Sequence, residues 1–136
     1  MTDLVITAAN VVAGSGAQQE SGVAGVAITA GQMVYLDPAD SKYKLADNDS
    51  PTVAARSPRG LALNNAAANQ PLVIVRKGPV TLGTGFTPGA EYYLSATAGG
   101  MCPLADLGTG KTKSFLGMFA SATSFVVNIQ ESGVTL

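Results

Sequence analysis

The chain has 136 residues, enough for one domain with a real core but not for two comfortable ones. Charged residues make up only 12%, about half the usual share, and the net charge is −1 with eight scattered Lys and Arg, which excludes the clustered cations of a nucleic-acid surface. Histidine and tryptophan are absent and Cys102 is the single cysteine, which removes the commonest general base, the commonest zinc ligand and any internal disulfide.

Read in chain order, the pattern is β almost throughout. Leu4-Val5-Ile6-Thr7 opens a β-leaning arm that Val11-Val12 can continue, and Gly14-Ser15-Gly16 interrupts it. Val23–Ile28 and Met33–Leu36 read as strands around an Ala30-Gly31 turn. Asp37-Pro38-Ala39-Asp40-Ser41 is a turn cluster, in which Pro presets φ and Asp bonds its own backbone. Tyr43–Ala46 alternates as a half-buried strand does, and Thr52–Arg56 fits either a helical turn or an extended crossing. Gly60–Leu63 and Leu72–Val75 follow, with Arg76-Lys77-Gly78-Pro79 turning the chain into Val80-Thr81-Leu82. Tyr92–Leu94, a Gly99-Gly100 turn, Leu104, Phe115–Ala120, Phe125–Gln130 and Gly133–Leu136 complete the series. Short strands with turn signals every eight to twelve residues predict an all-β fold, a compact sandwich or barrel.

The chain also repeats itself. Thr29–Leu36 and Thr87–Leu94 share the pattern T-x-G-x-x-x-Y-L, and each is followed by Leu-Ala-Asp at 45–47 and 104–106. Gly60-Leu61-Ala62 is answered by Gly117-Met118-Phe119-Ala120, and Val80-Thr81-Leu82 by Val134-Thr135-Leu136. Such self-similarity predicts two similar β units, about 22–82 and 83–136, inside one domain spanning 21–136. Residues 1–20 fall outside both units and are expected to form an extended N-terminal arm. Its Leu4, Val5 and Ile6 either pair within the same barrel or offer an edge to another chain.

Few residues invite chemistry. The acid pairs Asp37/Asp40 and Asp47/Asp49 sit among Pro, Ser and Asn, where turn-forming is their ordinary role, and the order of a dedicated calcium loop is missing. Gly108-Thr109-Gly110-Lys111-Thr112 imitates the end of a phosphate loop, but Ala105 stands where the first glycine belongs. Cys102 reads as a small residue beside a turn. Asn48-Asp49-Ser50 matches a glycosylation sequon only formally. No catalytic residue, metal site or cofactor is expected. No segment approaches 18 continuous apolar residues, so no membrane partner is expected either. Asp3 stands where a secretory signal would be positive, and synthesis and retention in a cytoplasm are expected.

The order Val26–Leu36, Lys42–Asp47, Arg59–Asn64, Ala66–Pro71, Gly78–Gly83 and Gly89–Ser95 resembles that of the capsid cement (decoration) proteins of tailed bacteriophages. The resemblance covers roughly residues 22–136 and is one of style and order, shared in part with head-fibre and tail-fibre modules. It implies a jelly-roll-like structural virion protein with no enzymatic activity. It would be made in the bacterial host and carried on the outer face of the capsid. The implied partners are the major capsid protein and further copies of the chain, as a homodimer or homotrimer at a capsid symmetry axis. Contact candidates are Leu4, Val5 and Ile6 in the arm, with Arg56, Arg59, Arg76 and Lys77 as polar rim residues. The rival reading is a fibre module that binds a host-surface ligand, against which the absence of Trp platforms weighs.

Overall fold

The computed structural model describes residue 4, residues 6–103, residue 107 and residues 112–135, with side chains in the last range described over 113–130. Among these the strands are β1 Val12–Ala13, β2 Gln18–Val23, β3 Met33–Asp37, β4 Lys42–Leu45 and β5 Gly60–Ala62. They continue with β6 Pro71–Thr81, β7 Glu91–Leu94, β8 Met101–Cys102, β9 Thr112–Phe119 and β10 Ser124–Thr135. Ala8–Asn10 and Val53–Arg56 are short 3-10 helices.

All strands join one antiparallel sheet in the order β4-β3-β5-β6-β10-β9-β7-β8, with β1 and β2 also paired to β6. The β4 end curls back towards β2: Ala24 bridges Tyr43, and the Gly25 N–H donates to the Tyr43 carbonyl at 2.7 Å. The result is a half-barrel. Its central strand, β6, has neighbours on both edges, and its apolar run contributes buried side chains to two separate clusters. Leu72 and Ile74 join Ala24, Val34, Tyr43 and Ala62 in one cluster. Val75 and Val80 join Met33, Leu61, Leu116, Phe119, Phe125 and Val127 in the other. Continuous apolar runs such as Met33–Leu36 and Leu72–Val75 are what two-sided burial demands.

The strand order reads the same from both ends, β4-β3-β5-β6 against β8-β7-β9-β10. The registers match as well. Met33 and Val34 pair with Leu61 and Gly60, and Glu91 and Tyr92 pair with Met118 and Gly117. A Cβ on Gly60 would meet the Val75 carbonyl oxygen at 2.5 Å and the Ile74 side chain. A Cβ on Gly117 would meet the Val126 carbonyl oxygen more closely still, with the Phe125 ring beside it. Tyr35 and Tyr93, at matching positions, are both buried.

Several sequence expectations change. Arg76-Lys77-Gly78-Pro79 is no turn: β6 runs unbroken through it, because strands flank it on either side and capture its backbone. Phe125–Gln130 and Gly133 onward likewise form one strand, β10, up to Thr135. Val23–Ile28 buries only Ala24 and Ile28 and, beyond Val23, lies outside the named strands. Its N–H groups are satisfied one at a time, Ala24 by the Gln70 carbonyl at 2.9 Å and Ile28 by the Ala66 carbonyl at 2.8 Å. Residues 12–20 do not leave the domain, since β1 and β2 pair with β6 in the same chain. Thr52–Arg56 takes the helical alternative over Val53–Arg56. The turn at Gly108–Lys111, Leu104 and the second Leu-Ala-Asp at 104–106 lie outside the described residues.

Candidate interaction site

The site begins with an irregularity in β6. Gln19 pairs with Val75 and Gln18 with Lys77, so Arg76 is an extra residue with no partner on β2. A bulge of this kind bends the strand and re-aims its side chains. Consecutive residues of a flat strand point to opposite faces, yet Arg76 and Lys77 are both exposed and border the same groove. Gly78, at φ +113°, permits the backbone of Ala17 to pass at a distance that a Cβ would block.

The groove holds about 630 Å³. Its apolar lining comes from Leu36, Pro38, Pro58 and Ile129, its polar lining from Gln18, Arg59, Arg76 and Lys77. Arg59 is committed: its Nε and Nη2 donate to both oxygens of Glu20, at 2.6 and 2.8 Å. The Tyr43 hydroxyl donates to the same carboxylate, and Arg76 Nη1 stands 3.7 Å from it. Glu20 thus ties β2 to β4, β6 and the segment leading into β5. Its pKa is lowered to about 2, chiefly by the Arg59 hydrogen bonds, which outweigh the opposing cost of burial. Burial first, and then the bond to Glu20, push the Tyr43 hydroxyl up to about 12.

This carboxylate predicts a pH dependence. A depressed native pKa means the unfolded chain binds the proton more readily, so stability rises with pH across the window between the two values. The contribution of Glu20 is complete above about 4.5 and fades as pH falls towards about 2. Glu20→Gln is expected to cost about 1–3 kcal/mol near neutrality. It should also flatten the fall in urea midpoint between pH 5 and pH 3, and an unchanged acid profile would remove Glu20 from this role.

The remaining candidates fall elsewhere. Arg56 does not line the groove: it is half-buried, its Nε is buried with no hydrogen-bond partner among the described residues, and its carbonyl accepts from Ser114 Oγ at 3.4 Å. Leu4 and Ile6 pack against the main core and border a second groove of about 270 Å³ with Gln32, Gly99 and Met101. The Leu4 N–H donates to the Met101 carbonyl at 2.7 Å, so this point of the arm is seated on β8 of its own chain. Val5 lies outside the described residues.

The acid pairs do structural work. Asp37 accepts from Ala39 N–H at 2.9 Å and holds the Lys44 ammonium at 2.7 Å, and Asp40 stands 3.2 Å from the same ammonium. The hydrogen bond from Lys44 is the first cause of the lowered Asp37 pKa. Asp47 accepts from Asp49 N–H at 3.2 Å, a local turn bond. Asn48 is fully buried and donates to the Leu94 carbonyl at 2.7 Å, which leaves the sequon undisplayed. Cys102 is buried and paired across the sheet with Tyr93.

Sequence reasoning missed Glu20, because its partners stand 23, 39 and 56 positions away and nothing local marks it. No protein-family model matches the chain, and no curated protein matches it in sequence.

Proposed function

We propose that this protein is a structural virion protein, a capsid cement protein that binds the outer face of a phage head and bridges neighbouring major capsid proteins. The observation that carries the reading is a charge-poor surface that leaves large apolar side chains exposed. Val53 is 69% exposed, Val12 59%, Met118 41% and Val23 39%. Val12, Val23 and Met118 lie on strands, and Val53 lies on the short helix whose Ala54 borders the basic groove. The acids described above are engaged in turns and ion pairs. The sequence resemblance to cement proteins supplies the particular partner.

The finer build belongs to the same proposal. Two similar units over about 22–82 and 83–136 are supported by the palindromic strand order and by the matching contacts of Gly60 and Gly117. The N-terminal arm is proposed to contribute capsid or subunit contacts through its first residues, upstream of β1. The mature unit on the shell is a homodimer or homotrimer at a capsid symmetry axis.

Such a protein works by mass action. Each copy bound to the assembled shell, and not to free subunits, stabilises assembly by an amount set by its affinity and free concentration. Attachment of one oligomer to several capsomers raises avidity without tight individual contacts. Co-sedimentation with empty capsids of the source phage tests the reading, alongside the solution mass from light scattering. Saturable binding at a fixed ratio to the major capsid protein, with raised heat resistance of the shell, is expected. A stable oligomer that ignores capsids overturns it and favours a fibre module.

A further inference from the structure

We propose that the groove beside the β6 bulge docks an extended, carboxylate-bearing polypeptide segment of a partner protein. The inference deepens the cement reading and rests on it only for the partner's identity, the major capsid protein; the groove's preference for an acidic segment stands on its geometry.

Charge comes first. Arg59 is neutralised by Glu20, but Lys77 has no carboxylate partner among the described residues, and Arg76 stands only at the long limit of an ion pair with Glu20. Their exposure differs in kind from that of Lys44, which Asp37 and Asp40 already hold. Two adjacent cations are thus presented on one face by a bulge, and regular pairing would have separated them. They are too few for a polyanion, whose affinity grows with the number of phosphates neutralised. They suit one or two carboxylates.

The rest of the lining argues for a polypeptide. Leu36, Pro38, Pro58 and Ile129 form an apolar bed next to the cations, and Val53 adds an exposed apolar edge beside Ala54. An extended segment with an acidic side chain next to an apolar one fills both parts at once. The Gln18 amide borders the same space and can bond a peptide group. A volume of about 630 Å³ takes a few residues of an extended chain.

The test is an NMR titration of the full chain with the synthetic peptide acetyl-Glu-Ile-Glu-Pro-Leu-Asp-amide and with its Gln/Asn counterpart. Saturable shifts centred on Arg76, Lys77 and Ile129 are expected, weakened by salt. They should fall at least roughly tenfold in apparent affinity for the uncharged peptide and for the variant Arg76→Glu/Lys77→Glu, since the charges set recognition. Arg76→Gln/Lys77→Gln, which removes charge without reversing it, carries the test if the reversed variant melts early. Absent shifts, shifts spread equally over Lys42 and Lys113, or full binding by the neutral variant overturn the proposal. Capsid co-sedimentation separates the two readings. Wild-type shell binding retained in full by the double variant overturns the groove as the shell contact and leaves cement standing. Peptide binding in the groove by a protein that ignores shells keeps the docking site and overturns cement.

Discussion

Gly117→Ala is expected to be among the most damaging single substitutions in this protein, with Gly60→Ala close behind. An alanine Cβ at Gly60 would meet the backbone oxygen of Val75 at 2.5 Å, and at Gly117 the oxygen of Val126 is nearer. The obstacle is main chain in a paired strand, so no rotamer change relieves it, and the β9–β10 or β5–β6 pairing must open. Overpacking of this kind costs about 1–3 kcal/mol and at times more. For a domain of this size, 3 kcal/mol lowers the melting midpoint by on the order of 10 °C. Thermal unfolding followed by circular dichroism would read it. Both variants should lose stability, Gly117→Ala more. A wild-type midpoint in either would show that the strands have room to part there. A large loss at one glycine and none at the other would separate the two units that the proposal treats as equivalent.

Phe119→Ala should cost about 3–5 kcal/mol, the usual range for an aromatic truncated in a core. Phe119 is 1% exposed and stacks on Phe86 with centroids 4.4 Å apart. It also meets Phe125 edge-on at 5.0 Å and Tyr92 at 5.6 Å. One truncation therefore breaks three ring contacts and leaves a cavity between β9, β10 and the loop before β7. Against a total stability of about 5–15 kcal/mol, that removes a large part of the margin. Urea denaturation should show a lower midpoint with an unchanged slope, and Phe119→Leu should retain much of the loss. A midpoint within experimental scatter of wild type would mean that the Phe86 loop collapses into the space.

How far these features could be read in advance depended on their range. Met33–Leu36, Leu72–Val75 and Phe115–Ala120 announce themselves as strands because their apolar content is local. The pairing of Tyr35 with Tyr93 in kind was legible as a repeated pattern, and both are buried. Val23–Ile28 misled, since its apolar composition answers to the burial of Ala24 and Ile28, each held by an isolated bridge, and burial at two positions does not require a ladder. The segment Gln18–Gly22 gave no strand signal and became most of β2, because β6 offered it an open edge. Among the contact candidates, Arg59, Arg76 and Lys77 share a groove, while Arg56 does not line it and Leu4 and Ile6 border another.

By itself the sequence determined the all-β class, the main apolar strands, the repeated T-x-G-x-x-x-Y-L pattern and the poverty of catalytic residue types. These follow from composition and spacing within a few residues. Only the tertiary structure decided that Arg76-Lys77-Gly78-Pro79 continues a strand and does not turn, that a bulge aims Arg76 and Lys77 together, and that Glu20 gathers Tyr43, Arg59 and Arg76. The physical reason is the same in each case. A short segment of Arg, Lys, Gly and Pro has turn propensity of a few tenths to about one kcal/mol. Backbone hydrogen bonds offered by strands on both of its edges outweigh that preference, and those strands come from remote parts of the chain.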